Sequence, residues 1–224
     1  MLRSLLFLVQ KEGENMVILA QDPSFNALAF SLYDGKDTIY VDNSTCKLGE
    51  GIGFDKVYNA CSDLLEQYLS RLDKLGVGDT ILIDKMVSEI PPPVGNFSAG
   101  LYALDTFIIS NLWKSYDSIK EVYIVPPSYL GTVHGTAKYK KSDSTKLAKY
   151  FIDEILKDDF KIVLPDNVSS SGRKTKGVMN NDRAESFLFL LRMFCKYDIK
   201  GYKNKIMSEM AGLGYEAEKL LCNR

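Results

Sequence analysis

MVILAQDPS, residues 16–24, is a run of apolar residues that stops at Asp22 and turns at Pro23 and Ser24. A short continuous apolar run bounded by turn residues predicts a strand buried on both faces, with Asp22 projecting at its end. Two further runs follow closely, ALAFSLYDG at 27–35 and DTIYVDN at 37–43. The turn residues Asp34-Gly35-Lys36-Asp37 separate them, so the three segments read as an antiparallel meander.

Beyond the meander the period changes from strand to helix. Val57, Cys61, Leu64, Leu65, Tyr68 and Leu72 recur at helical intervals and predict an amphipathic helix over 54–72, closed by Gly76 and Gly78. Residues 80–90 read as a strand that Pro91, Pro92 and Pro93 end, because proline cannot donate into a ladder. Ser98 caps a predicted helix with Leu101, Leu104, Ile108 and Leu112 on one face, and VYIVPP from Val122 is a short buried strand. Ser142 or Asp143 starts a helix through Leu147, Tyr150, Phe151 and Ile155. The stretch between Asp166 and Asn181, with SSSGRKTKG in its middle, is expected to be a mobile basic loop. Asn180 or Asn181 caps a helix carrying Phe187, Leu190, Leu191 and Phe194, and a last helix is expected over about 203–221. Strands first and alternating helices and strands after them predict a mixed α/β sheet in one domain spanning 1–224.

The chain's 224 residues and 46% hydrophobic content suffice for a full core. Lys and Arg total 28 against 29 Asp and Glu, a net charge of -1, so any nucleic-acid surface must be local. Cys46, Cys61, Cys195 and Cys222 form no CxxC pair or zinc-spaced cluster, which excludes a zinc module and fits a reducing, cytoplasmic compartment. The opening MLRSLLFLVQ is too short to span a membrane and lacks a small-residue cleavage site, so it reads as an extension or early strand, with Met16 an alternative start. No membrane association and no small-molecule cofactor are expected.

Four acidic residues carry the candidate chemistry. Asp22 ends the first strand, and Asp-Pro is also an ordinary turn former. Glu89 stands at the mouth of the proline-stopped strand, with Asp84 its rival for the same role. Asp182 and Glu185, three apart, share one face of a helix's first turn, where acids also serve the helix dipole. Hard cations such as Mg²⁺ take oxygen ligands, and two of them need several carboxylates to offset their charge. Together the four predict two-metal phosphodiester hydrolysis.

In pattern and order these segments resemble the RuvC-like Holliday junction resolvases of the RNase H-like superfamily, in a divergent or phage-type branch. ILAQDPS is similar to the family's strand ending in Asp-Pro-Gly or Asp-Pro-Ser, and ALAFSLYDG fits its second strand. VSEIPPP resembles the Glu-bearing strand, SAGLYALDTFIIS the following helix, and VYIVPPSYLGTVHGTAKYKKSDSTKL the stretch leading through a basic patch into the next helix. NNDRAESFLFLLRMF is similar to the terminal acidic helix, though Glu185 stands where bacterial enzymes usually have Asp. The likeness covers about 16–197; the basic loop at about 166–180 and a C-terminal helical extension at about 198–224 lengthen the chain.

The resemblance implies an RNase H-like sheet, three antiparallel strands followed by parallel ones, flanked by helices. It implies a Mg²⁺-dependent endodeoxyribonuclease, with Mn²⁺ able to substitute and two ions per site, held by Asp22, Glu89, Asp182 and Glu185. Such an enzyme would act as a homodimer on branched DNA and leave paired nicks with 5′-phosphate and 3′-hydroxyl ends, in the host cytoplasm if phage-encoded. In the family the helix after the Glu-bearing strand builds the dimer interface. Lys141 stands at the family's basic position beside the site, and Lys138, Lys140 and His134 lie next to it. Arg173, Lys174 and Lys176 of the polar loop are candidates to grip a DNA arm electrostatically. Phe97 and Tyr129 are candidates to stack on bases, while Trp113 is expected in the core. Two alternatives stay open: a nuclease of the same fold acting on flaps, duplex DNA or RNA–DNA hybrids, and a non-catalytic junction-binding protein.

Overall fold

The computed structural model describes residues 15–24, 27–45, 54–90, 96–126, 141–168, 174–175 and 177–216. Its centre is β1 (Ile18–Pro23), buried at all six positions. Being covered on both faces explains why its sequence is nearly continuous in apolar residues rather than alternating.

Strands β2 (Ala27–Tyr33) and β3 (Thr38–Thr45) complete the antiparallel meander. The turn between them is built as the residues predicted. Asp34 Oδ1 accepts from the amides of Lys36, Asp37 and Thr38, and Gly35 adopts φ +81, where a Cβ would meet Asn15 O at 2.6 Å. On the other side of β1, β4 (Lys85–Glu89) and β5 (Glu121–Val125) add in parallel. A strand not foreseen, β6 (Lys161–Val163), pairs in parallel with β3 and makes a six-stranded sheet of order β5-β4-β1-β2-β3-β6. Three residues are too few to register as a sequence period. This order and mix of directions is the RNase H-like sheet expected.

Helices α1 (Phe54–Lys74) and α2 (Asn96–Ser115) cover one face, joining Leu64, Tyr68, Leu104 and Ile108 to Leu19, Phe30 and Met86. Helices α3 (Lys141–Tyr150) and α4 (Asn181–Tyr197) cover the other, where Leu147, Phe187 and Leu190 meet Ile18, Ala20 and Val87. The helix of α3 widens into a π turn at Phe151–Leu156. α5 (Tyr202–Gly212) follows a short 3₁₀ turn.

Four expectations need correction. The strand expected over 80–90 begins only at Lys85, because its ladder with β1 starts at Ile18↔Lys85 and the preceding residues have no strand opposite them. The polar loop contains a small hairpin, β7 (Asn167–Val168) with β8 (Lys174–Thr175), rather than wholly irregular chain. The last helix ends at Gly212, where Gly214 at φ +83 turns the chain, instead of reaching 221. Trp113 is 51% exposed rather than in the core, since it is rotated off the α2 face that buries Leu104, Ile108 and Leu112. Among the described residues no helix is long and apolar enough to cross a membrane.

Candidate active site

Parallel pairing runs from Ile18↔Lys85 to Gln21↔Ser88, and one step further along the same register sets Asp22 beside Glu89. Neighbouring strands in a ladder lie about 4.8 Å apart. Side chains alternate, so Asp22 shares the face of Ile18 and Ala20, and Glu89 that of Val87. This is the face that α4 covers. On the reverse face Gln21 Nε2 donates to Ser88 Oγ at 3.0 Å and Tyr68 hydroxyl donates to Gln21 Oε1 at 3.1 Å. This buried relay pins the two strand ends immediately below the carboxylates.

Asp84, the rival to Glu89, sits at the other end of β4. It accepts from Val17 N at 3.1 Å and pairs with Lys120 at 2.6 Å. Five residues of strand put it about 16 Å from the level of Glu89. The structure therefore separates Asp84 from Asp22 and sets Glu89 beside it.

The first two turns of α4 carry the other two acids, Asp182 in the first and Glu185 in the second. Asn180 caps it, its side chain accepting from Arg183 N at 2.9 Å. Ser186 Oγ meets Ser31 Oγ of β2 at 3.0 Å and fixes the helix over the sheet. Glu185 is 5% exposed, turned inward, and Asp182 lies one turn before it. As the side chains stand, no group of three or more His, Cys, Asp or Glu among the described residues is close enough to hold a metal ion. The fold aligns Asp22 with Glu89 and lays the turn bearing Asp182 and Glu185 on their face, without closing the four into one cluster.

Lys141 opens α3, one turn before Thr145, whose hydroxyl donates to Asn181 Oδ1 at 2.8 Å. The start of α3 is thereby tied to the start of α4. Lys174 lies in β8. His134, Lys138, Lys140, Arg173 and Lys176 lie outside the described residues, as does Tyr129, and so do the side chains of Lys141, Lys174 and Phe97.

Two features were not foreseen. Arg183, nearly wholly buried, donates Nη1 to Val178 O at 2.9 Å and Nη2 to Asp42 Oδ1 at 3.1 Å, while Asp42 Oδ2 accepts from Arg71 of α1. Arginines on opposite faces of the sheet thus share one carboxylate at the edge of β3. The second is Asp105 of α2, fully buried with no hydrogen-bond partner for either carboxyl oxygen among the described residues. Burial, reinforced by the charge of Glu89, pushes its pKa up to about 8. The signal was present in the sequence: Asp105 interrupts the apolar stripe Leu101, Leu104, Ile108, Leu112, where an acid is out of place.

No protein-family model matches the chain, and no curated protein matches it. Among solved structures it is similar to RuvC of Thermus thermophilus at 10% identity and a TM-score of 0.44, over 77% of this chain and 89% of that one. It is similar to T. thermophilus RuvC in complex with a Holliday junction substrate over the same shares, at 10% identity and a TM-score of 0.45. It is also similar to the yeast mitochondrial Holliday junction resolvase Ydc2, at 14% identity and a TM-score of 0.45, over 87% of this chain and 86% of that one.

Proposed function

We propose that the chain is a divalent-cation-dependent endonuclease that resolves four-way DNA junctions. The observation that carries the reading is the alignment of Asp22 with Glu89 at the C-terminal ends of adjacent parallel strands, on the face covered by the acidic first turn of α4. Open α/β sheets bind their substrates beyond such strand ends.

The donor set fits hard cations. Carboxylate oxygens from β1, β4 and α4 are the ligands Mg²⁺ and Mn²⁺ take. Asp22, Glu89, Asp182 and Glu185 would hold the ions, which when bound supply water activation and neutralise charge at the leaving 3′ oxygen. Asp22 and Glu89 act from a rigid base, because the Gln21–Ser88–Tyr68 relay fixes the strands beneath them. Asp182 and Glu185 act from a helix locked by Asn180, Ser186 and Arg183. Lys141, at the start of α3, is assigned to the scissile phosphate as a fixed positive charge.

Choice of a junction over other DNA rests on the ordered likeness of five segments to RuvC-like resolvases. Paired nicks on opposed strands require two sites related by a dyad. Tyr102, Phe107 and Trp113 stand 41%, 38% and 51% exposed on α2 and supply apolar surface for a second copy of the chain.

The test is cleavage of a synthetic four-way junction beside a linear duplex of the same sequence, with Mg²⁺, Mn²⁺ and chelator. Metal-dependent, junction-selective nicking to 5′-phosphate ends is expected. Equal rates on both substrates would replace the resolvase reading by that of another nuclease, and no cutting under any condition would remove catalysis.

A further inference from the structure

A groove on the α1 side of the sheet plays no part in the reaction just described. Gln67, Ser70, Arg71 and Lys74 of α1 form one of its walls. They recur at i, i+3, i+4 and i+7, so a single helix face presents four hydrogen-bond donors. Tyr40 and Asp42 of β3 lie in the floor, and Val163 and Pro165 close the far side. The groove forms where β6, which pairs with β3 as far as Tyr40↔Val163, departs and leaves the rest of the β3 edge without a strand partner among the described residues.

Its charge is the informative feature. Among the described residues Asp42 is the only acidic one lining it, and that carboxylate is already held by Arg71 and, from behind, by the buried Arg183. Arg71 and Lys74 against one carboxylate that Arg183 also neutralises give the described lining a surplus of positive charge, in a chain whose net charge is -1. Asp63, one turn before Gln67, is not among the lining residues. A concave surface of donors with surplus positive charge suits an extended polyanion.

Position adds a second argument. Asp42 pairs with Phe30, and Phe30 with Gln21, the residue beside Asp22. Counted within the sheet, the groove floor lies two strand spacings, about 10 Å, from the row of the carboxylates, and it opens on the opposite face. From Pro165 the chain also leads directly into the β7–β8 hairpin, which carries Lys174.

We propose that this groove binds the sugar–phosphate backbone of one arm of the DNA substrate, with Arg71 and Lys74 meeting phosphates and Gln67 and Ser70 donating beside them. The assignment rests on the nuclease reading above and deepens it. Contacts of this kind position the duplex and carry no sequence information.

The experiment uses the full chain carrying Asp22→Asn, in chelator, with a fluorescent four-way junction titrated at several salt concentrations. Lys74→Glu and Gln67→Glu change exposed side chains, so their thermal midpoints should match the background protein. Each is expected to weaken binding by about tenfold, and Lys74→Glu to lower the slope of log affinity against log salt by about one. Lys120→Gln, at the opposite end of the sheet, should leave affinity unchanged. Unchanged affinity and slope in both groove variants, while the background protein binds the junction, overturns the groove assignment alone. A background protein that binds no DNA overturns the nuclease reading, and this assignment with it. Tight binding of inorganic phosphate that Lys74→Glu abolishes, with DNA affinity untouched, would make the groove a small-anion site instead.

Discussion

Arg183 of α4 donates through Nη2 to Oδ1 of Asp42 on β3 at 3.1 Å, and the other oxygen of that carboxylate is bound to Arg71 of α1. The link joins helices on opposite faces of the sheet, and Arg183 sits between Asp182 and Glu185 in sequence. Any shift of its guanidinium therefore moves the acidic turn. Replacing it by Met leaves Asp42 to Arg71 and the Asn43 amide, without its buried charged partner, and Val178 O without its donor. Breaking a buried pair costs about 3 kcal/mol or somewhat less where a second arginine remains. Arg183→Met should lower the urea midpoint accordingly and slow junction cutting. Arg183→Lys should recover little, because one ammonium on a flexible stem does not reproduce two donors held in a planar fork. Full stability and activity in either variant would remove the link's positioning role.

Asp22→Asn and Glu89→Gln preserve shape and remove charge at the aligned strand ends. Both should reduce metal-dependent cutting by at least about a hundredfold while sparing junction affinity, since each removes an oxygen donor that hard cations require. Both should also abolish the stabilisation that Mg²⁺ or Mn²⁺ gives the wild-type chain in thermal unfolding, a readout independent of turnover. If Glu89→Gln retains both cutting and metal-induced stabilisation, the assignment of β4 to the site is wrong.

Asp84→Asn supplies the contrast. Asp84 binds Val17 N and Lys120 at the far end of β4, so its charge serves the sheet rather than the site. Cutting should stay within about twofold of wild type. Asn keeps an oxygen for Val17 N and loses only an exposed ion pair, so the urea midpoint should stay close to wild type. Loss of activity without loss of stability would return Asp84 to candidacy.

These contrasts show how far the sequence could be read. The meander and its flanking strands were legible because apolar runs ended at strong turn residues: Asp34 and Gly35 at one hairpin, three prolines after Glu89. Asp22, Glu89, Asp182 and Glu185 could be proposed as a set because acids stood at element ends, and β1, β4 and α4 carry them there. What sequence could not separate was Glu89 from Asp84: both lie in or beside one strand, and only the register with β1 decides which end faces Asp22. The Arg183–Asp42 link spans 141 positions, and neither residue breaks a local pattern. β6 was missed for its length. Trp113 is exposed because its angle on α2, not its hydrophobicity, sets its surroundings.

Asp105 gives the last prediction, because its burial sets a sign. Its carboxyl is fully buried without a hydrogen-bond partner among the described residues, and burial, reinforced by the charge of Glu89, lifts its pKa from an ordinary 3.8 to about 8. Between those values the folded chain holds a proton that the unfolded chain releases, so stability falls as pH rises from about 4 to about 8 and this contribution is level outside that window. The slope is at most ~1.4 kcal/mol per pH unit. Asp105→Asn should flatten the metal-free stability profile over that range, and Asp105→Leu should stabilise the protein at neutral pH, by about 1–3 kcal/mol, by removing an unpaired buried polar group. Urea unfolding across the window, in chelator, measures both. A wild-type profile with no excess slope relative to Asp105→Asn would mean that Asp105 finds a partner in solution.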